Sequence, residues 1–334
     1  MISAIFGIKM YRIIAGLAAL CTCAAAEPAW TRSSNADFEI WSDAGPRAVN
    51  STLAWFEQLR AFSREHLGVA PARVTIVLFH WADEYTAFRP IPEASAFCAS
   101  SGGRHYIVMF DDPMRASATA AHEYAHILMH AGSVHLPRWF SEGLAEIYST
   151  LRIGPRSSTI GGDLPPRSAQ LSSGPWMPLP ELLAVRDEPG DQLVFYAQSW
   201  ALTRMLMFSP DYAPRFPALA LALASGTPSE RALTETYGKT AAIIARDLQA
   251  WAVPNRFRGV SLGGIRSAPC VVTTVSPTDF ERQRLMADIL FASGAHASAP
   301  LPFTPTSNAR RPTIRAFRRF SARWLFRRET GWPR

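Results

Sequence analysis

Two histidines four residues apart, His122 and His126, enclose Glu123 in the sequence HEYAH. On a helix, residues four apart lie on one face, so both imidazoles can reach the same metal ion. Glu123 stays free to act on a metal-bound water. Fifteen residues separate His126 from Glu142, enough to end this helix, turn, and begin an antiparallel one. The spacing predicts a zinc ion held by two imidazoles and one carboxylate, with a fourth position open for the water of peptide hydrolysis.

The same stretch allows less specific interpretations. An H-E-x-x-H pattern also occurs by chance on ordinary helices. His130 and His135 could contact the metal or a substrate, or be ordinary solvated histidines. The metzincin ligand pattern is excluded, because Met129 and Gly132 stand where it requires a glycine and a histidine.

The elements that must position these residues are a strand and two helices. The pattern predicts a strand from His105 to Phe110, a helix from near Pro113 to His130, and a second helix from about Pro137 to Leu151. Small residues at 99–103 and the Gly, Pro and Ser content of 153–180 predict loops.

Other apolar patterns predict the remaining elements. Strands are expected at 30–42, 74–79 and 270–275, and helices at 48–67, 81–88, 179–186, 192–208, 213–224, 228–237, 239–252 and 277–291.

Four segments resemble the gluzincin zinc metallopeptidases, and within them bacterial peptidase-MA-like proteins, which are often followed by tetratricopeptide repeats. They are HEYAH, LPRWFSEGLAE, DFEIWSD and FYAQSWAL, within roughly 30–252. The resemblance implies a zincin-like α+β fold with a mixed sheet, an active-site helix that carries H-E-x-x-H, and a helical C-terminal subdomain. It also implies that the strand ahead of that helix, His105 to Phe110, presents an edge to the substrate.

Carried over to this chain, the resemblance makes His122, His126 and Glu142 the ligands of one Zn²⁺. It makes Glu123 the general base. Glu146, one turn after the third ligand, would support a ligand histidine through its imidazole N–H.

Tyr196, in FYAQSW, is the candidate second donor to the oxyanion of the transition state. The competing interpretation is that Tyr196 and Trp200, one turn apart, form a stripe of the core. The function implied is a monomeric zinc metallopeptidase that acts on peptides or proteins. The alternative is a non-catalytic binding or scaffold module of the cell envelope, against which the intact Glu123 argues.

The N-terminal 26 residues predict a secretory signal. Lys9 and Arg12 precede a short apolar run, and Ala24 and Ala26 form a small-residue cleavage signature before Glu27. The run is well below the roughly 20 residues that span a bilayer, which disfavours an uncleaved anchor. No later stretch could span a membrane, and cleavage after Ala26 implies a secreted or periplasmic protein.

Two cysteines would remain after cleavage, Cys98 and Cys270. They could form a disulfide in an oxidising compartment or stay as two free thiols.

The formal net charge of +7 misrepresents most of the 334-residue chain, because residues 310–334 hold nine arginines and one acid. Without this tail and the signal, the body is slightly acidic, which excludes a basic nucleic-acid-binding surface.

The sequence divides into a peptidase domain at 27–253, an extension at 254–297 that could be a remnant of a helical repeat, and a disordered tail at 298–334. The tail is either a truncation or frameshift product, or a basic amphipathic segment that contacts anionic surfaces.

Overall fold

The computed structural model describes residues 29–68, 70–71, 73–90, 94–112, 116–130, 135–187, 189–252, 259–266 and 271–293. In these ranges the chain forms an α+β fold with a mixed sheet. The strands are β1 Thr31–Ser34, β2 Phe38–Ser42, β3 Val74–Phe79, β4 Ala96–Ser101, β5 Arg104–Phe110, β6 Ser157–Ile160, β7 Val260–Gly263 and β8 Thr273–Val275. The helices are α1 Gly45–Phe62, α2 Ala82–Thr86, α3 Ala116–His130, α4 Arg138–Ser149, α5 Pro165–Ser173, α6 Leu179–Ala184, α7 Gln192–Phe208, α8 Phe216–Ala224, α9 Ser229–Tyr237, α10 Ala241–Ala252 and α11 Asp279–Ser293.

The main sheet has the strand order β4-β5-β3-β2-β1-β8. β2, β3 and β5 are parallel neighbours, and the other pairs are antiparallel. The central strand, β3, is buried along its whole length, as its unbroken apolar sequence predicts for a strand covered on both faces. A second sheet pairs β6 with β7.

Alternate residues of the main sheet build two cores. Ile76, Leu78 and Ile107 face the core shared with α1, α3 and α4, whereas Val77 and Val108 face the smaller core under α2 and α11. Because side chains alternate across a strand, the two faces of the sheet pack against different helices. The helix α3, which contains both histidines, packs on the face that carries the larger core.

The first predicted strand, 30–42, is divided into β1 and β2 by a turn. The side-chain oxygen of Asn35 accepts hydrogen bonds from the backbone N–H groups of Asp37 and Phe38, each at 2.8 Å. An Asx turn of this kind competes with the strand ladder and reverses the chain.

Two predicted loops are wrong. Residues 99–103 belong to a hairpin, in which Gly102 and Gly103 take positive φ angles of 56° and 78° between β4 and β5; this geometry suits a two-residue hairpin turn. Residues 153–180 contain β6 and α5, and α6 begins at their end. Pro165 and Pro166 stand in the first turn of α5, where their missing N–H groups cost nothing.

The prediction that the strand at 105–110 presents an edge of the sheet is also wrong. β5, the strand ahead of α3, lies between β3 and β4. Since β5 is paired on both sides, the outer strand next to α3 in the described part of the chain is β4. The hairpin that the loop prediction missed is the cause of this difference.

Residues beyond 253 extend both sheets: β8 pairs with β1 and β7 pairs with β6. The predicted signal at 1–26, the tail at 298–334 and Cys270 lie outside the described residues. No helix within the described ranges is long and apolar enough to cross a membrane.

Candidate metal centre

The helix α3 has a core face and a cleft face. Tyr124 is fully buried, and its ring centroid lies 6.3 Å from that of Phe38 and 6.1 Å from that of Phe56. His122 and His126 lie on the other side of the helix, where they line a large cleft. The apolar face therefore fixes the rotation of α3 and turns both imidazoles towards the cleft.

Glu142 reaches the same cleft from α4, which packs closely on α7. A Cβ atom at Gly143 would lie 2.1 Å from Oγ1 of Thr203 and 2.4 Å from the carbonyl oxygen of Ser199. Only glycine permits this approach. On the same helix, the indole N–H of the buried Trp139 donates to Oγ of Ser229 at 3.0 Å. These contacts fix the back of α4 and leave Glu142 facing α3.

Three ligand atoms converge between the two helices. Oε2 of Glu142 lies 3.5 Å from Nε2 of His122 and 3.3 Å from Nε2 of His126, and the two nitrogens are 3.2 Å apart. These atoms form one group that could hold a metal ion, with all separations within 4.8 Å. The three side chains predicted as ligands are thus brought together.

The charges of this group reinforce each other. Burial opposes ionisation of Glu142, but the neighbouring imidazoles outweigh it and hold the pKa of Glu142 well below its usual range. Burial would lower the pKa of His122, yet contact with Glu142 and the charges of Glu123 and Glu146 raise it to about 9. The group therefore favours a cation between these side chains.

A serine that the sequence analysis did not single out orients one of the histidines. Oγ of Ser141 lies 3.3 Å from Nδ1 of His126 and 3.7 Å from Sδ of Met129. When Nε2 of His126 binds a cation, the ring proton lies on Nδ1, and the hydroxyl oxygen can accept it while the hydroxyl proton points to the sulfur. This tautomer leaves Nε2 of His126 with a lone pair directed at the ligand group.

Glu146 has a different partner from the imidazole predicted for it. Its Oε1 accepts a hydrogen bond from Nη2 of Arg167 at 2.6 Å. Arg167 lies on α5, in the segment predicted as a loop, and this helix places the positively charged guanidinium next to the carboxylate of Glu146. Glu146 still acts on His122 through its charge, as one cause of the raised pKa of that imidazole.

Glu123, the predicted general base, is buried and lines the cleft beside the ligands. Its neighbour is Cys98 on β4, a free thiol whose side chain is half-buried. Burial raises the pKa of Cys98 well above its usual value, and the charges of Glu123 and Glu142 and a hydrogen bond to Glu123 raise it further. Cys98 is therefore held as a protonated thiol beside Glu123.

The cleft around these groups has a volume of about 1760 Å³. Its walls come from β4, α3, α4, α5, α6, the beginning of α7, and the end of α8 with the start of α9. Tyr196 is partly buried on this wall, with the guanidinium carbon of Arg167 5.1 Å from its ring centroid, whereas Trp200 is fully buried. Tyr196 thus lines the cleft, whereas Trp200 belongs to the core. His130 and His135 also line the cleft, outside the ligand group.

The donor set fits a metal ion. Two imidazole nitrogens and one carboxylate are the ligands of catalytic zinc centres with an open position. Oε2 of Glu142 is buried, and its polar neighbours are the Nε2 atoms of His126 and His122 at 3.3 and 3.5 Å, which make no well-formed hydrogen bond to it. A buried carboxylate oxygen that is only weakly satisfied is costly, and a cation among these three atoms would satisfy it.

No family model matches the chain. Comparison with curated proteins likewise finds no significant match. The functional argument therefore rests on the donor set, the surrounding charges and the cleft.

Three site residues were missed by the sequence analysis: Ser141, Cys98 and Arg167. Ser141 directly precedes Glu142, so its place on α4 was available as a signal, but its contact with His126 needs the angle between two helices. Cys98 was considered only as a disulfide partner, and Arg167 lies in a segment whose one helix signal is the pair Pro165 and Pro166.

Proposed function

We propose that this protein is a zinc-dependent metallopeptidase of gluzincin type with a zincin-like fold. The observation that carries the proposal is the convergence of His122, His126 and Glu142 beside a buried Glu123 in one large cleft. In this proposal the first three residues hold one zinc ion, which supplies Lewis acidity, lowering the pKa of a water and polarising the scissile carbonyl.

Glu123 moves the proton in this reaction. Its carboxylate accepts a proton from the attacking water and returns it to the nitrogen of the leaving amine. Burial strengthens this role, since a carboxylate shielded from bulk water interacts more strongly with neighbouring charge.

Tyr196 is the proposed donor to the developing oxyanion. It lines the same cleft as the ligands, and a phenol O–H can donate to negative charge that appears in the transition state. The Arg167 guanidinium against its ring restricts where that O–H can point.

The cleft supports a chain-like substrate. Pockets for small ligands usually span about 300–1,000 Å³, and this cleft is larger. The outer strand β4 contributes Ala96, Phe97 and Cys98 to its wall, so an extended peptide could run beside the metal centre along this strand. With the predicted export signal, the proposal places such peptides or proteins outside the cytoplasm.

Cleavage of casein and a peptide library by the zinc-loaded protein tests the proposal. Glu123→Gln should bind zinc as the wild type does and lose cleavage by about 1,000-fold or more, the scale of losing acid–base catalysis. Glu181→Gln, on the exposed face of α6, is the matched control and should cleave normally. Zinc binding without cleavage by the wild type would favour a scaffold instead.

A further inference from the structure

Arg167 contacts two other residues of the cleft at once. Its Nη2 donates to Oε1 of Glu146 at 2.6 Å, and its Cζ lies 5.1 Å from the ring centroid of Tyr196. The side chains of Arg167 and Glu146 are 22% and 8% exposed. A charge-assisted hydrogen bond this short and shielded holds a single geometry.

The position of Glu146 makes this contact important for the metal centre. Glu142 and Glu146 are one turn apart on the same face of α4, and both line the cleft. A second carboxylate so close could serve as a metal ligand. Yet the group of converging ligand atoms contains Glu142 and not Glu146, whose carboxylate lies against Arg167.

We propose that Arg167 is the positioning residue of this centre. By engaging Glu146 it leaves Glu142 as the one carboxylate of α4 available to the metal, and by stacking on Tyr196 it fixes that ring at the cleft wall. The inference rests on the proposed function, because it assumes a metal ion between α3 and α4. It goes beyond that function by giving Arg167 a role in determining whether Glu142 or Glu146 binds the ion.

Arg167 itself is held by the packing of α5. Two prolines begin this helix, and α5 packs against α7. After α5, the Gln198 amide of α7 accepts a hydrogen bond from the backbone N–H of Met177 at 2.7 Å and donates to its carbonyl at 2.9 Å. The helix that carries Arg167 and the chain after it are thus anchored on α7, so the guanidinium can impose its geometry on its neighbours.

A double-mutant cycle of zinc affinity tests the first half of the proposal without using activity. Glu142→Ala should weaken zinc binding by at least about a hundredfold, more than loss of an outer partner usually does. In an Arg167→Met background the loss of zinc affinity caused by Glu142→Ala should be at least about tenfold smaller, because Glu146 is released to bind the ion. Methionine keeps an apolar stem and removes the charge.

The control for this cycle is Glu146→Gln in the Arg167→Met background, in which Glu142→Ala should again cause the full loss of zinc affinity. An equal loss of zinc affinity on Glu142→Ala in the wild-type and Arg167→Met backgrounds would refute the positioning role of Arg167. If Arg167→Met does not fold, as thermal unfolding would reveal, Arg167→Gln replaces it in the same cycle. The cobalt-substituted proteins give an independent check, since a change of carboxylate ligand alters the d–d absorption spectrum.

The second half of the proposal concerns Tyr196. Arg167→Lys keeps a positive charge for Glu146 but loses the flat surface that stacks on the ring, so kcat should fall with little change in KM. In a Tyr196→Phe background Arg167→Lys should add almost nothing to the loss, and full additivity would contradict this role. Zinc binding without any cleavage would refute the proposed function while the affinity cycle still decides the role of Arg167.

Discussion

The hydroxyl of Ser141 on α4 and Nδ1 of His126 on α3 share one hydrogen bond, 3.3 Å long. Sδ of Met129 lies 3.7 Å from the same hydroxyl and can take its proton, so the hydroxyl oxygen can accept the Nδ1–H of His126 when Nε2 holds a cation. In that state Nε2 of His126 is a Lewis base between α3 and α4. A residue outside the predicted ligand set thus supports the tautomer that a cation in this group requires.

Replacement of Ser141 should weaken metal binding. Ser141→Ala removes the acceptor for Nδ1–H, frees the ring to change tautomer, and should lower zinc affinity about 10–100-fold. Ser141→Thr keeps the hydroxyl and should bind nearly as the wild type does. Competition with a chromophoric chelator measures both, with Ser172→Ala on α5 as the control. Equal affinities for Ser141→Ala and the wild type would refute the orienting role.

Gly143→Ala should destabilise the fold. The added methyl group would lie 2.1 Å from Oγ1 of Thr203 and 2.4 Å from the Ser199 carbonyl oxygen, so α4 and α7 must separate. Overpacking of this kind costs about 1–3 kcal/mol. Urea denaturation measures the loss, and Gly190→Ala, where a Cβ meets nothing within 4 Å, is the control. A stability equal to that of the control would show that the two helices yield without strain.

Zinc affinity should rise with pH up to about 9. The metal-free protein carries a proton on His122, because the acidic neighbours raise the pKa of this imidazole to about 9. Zinc needs the neutral ring and must displace this proton, so affinity should grow about tenfold per pH unit below that value. Titrations at pH 6.5, 7.5 and 8.5, corrected for competing hydroxide, check this. An affinity that does not change with pH would contradict the raised pKa.

The same shift has a consequence for the metal-free fold. A histidine whose pKa is raised by folding contributes stability that is fully present below its unfolded pKa, about 6.5. That contribution is lost as the pH rises towards 9. The lowered pKa of Glu142 acts in the opposite sense, adding stability above about pH 4.5 that is lost in acid. Urea midpoints in chelator should therefore decline on both sides of this window.

The thiol of Cys98 should react slowly. Burial and the charges of Glu123 and Glu142 raise its pKa, and the thiolate is the reactive form. At pH 8 alkylation by iodoacetamide, located by mass spectrometry, should be at least about tenfold slower than in urea. A Cys98 that is fully labelled before unfolding, or that is joined to Cys270 in a disulfide, would contradict the environment described.

The predicted ligand set follows from local geometry. Residues four apart share a helix face in any α-helix, so the positions of His122 and His126 needed only the prediction of helix α3. Glu142 could be added because a turn that contains Pro137 ends one helix and starts the next. The parallel core strand β3 was equally accessible, since its continuous apolar sequence is typical of a strand covered on both faces.

The missed elements depend on distant contacts. α5 has no acidic residue in its first turn and carries several serines, a poor helix former by propensity; packing against α7 stabilises it instead. Without α5 the sequence could not place Arg167 beside Glu146. The strand β4 was missed because Cys98, Ala99 and Ser100 are small residues that become a strand only by pairing with β5.

The zinc content of the purified protein tests the central claim most directly. After equilibration with zinc and dialysis, the wild type and Glu181→Gln should each retain about one zinc per chain, and His126→Ala and Glu142→Ala close to none. Inductively coupled plasma mass spectrometry gives these ratios. One zinc per chain in both ligand variants, or none in the wild type, would contradict a metal centre formed by His122, His126 and Glu142.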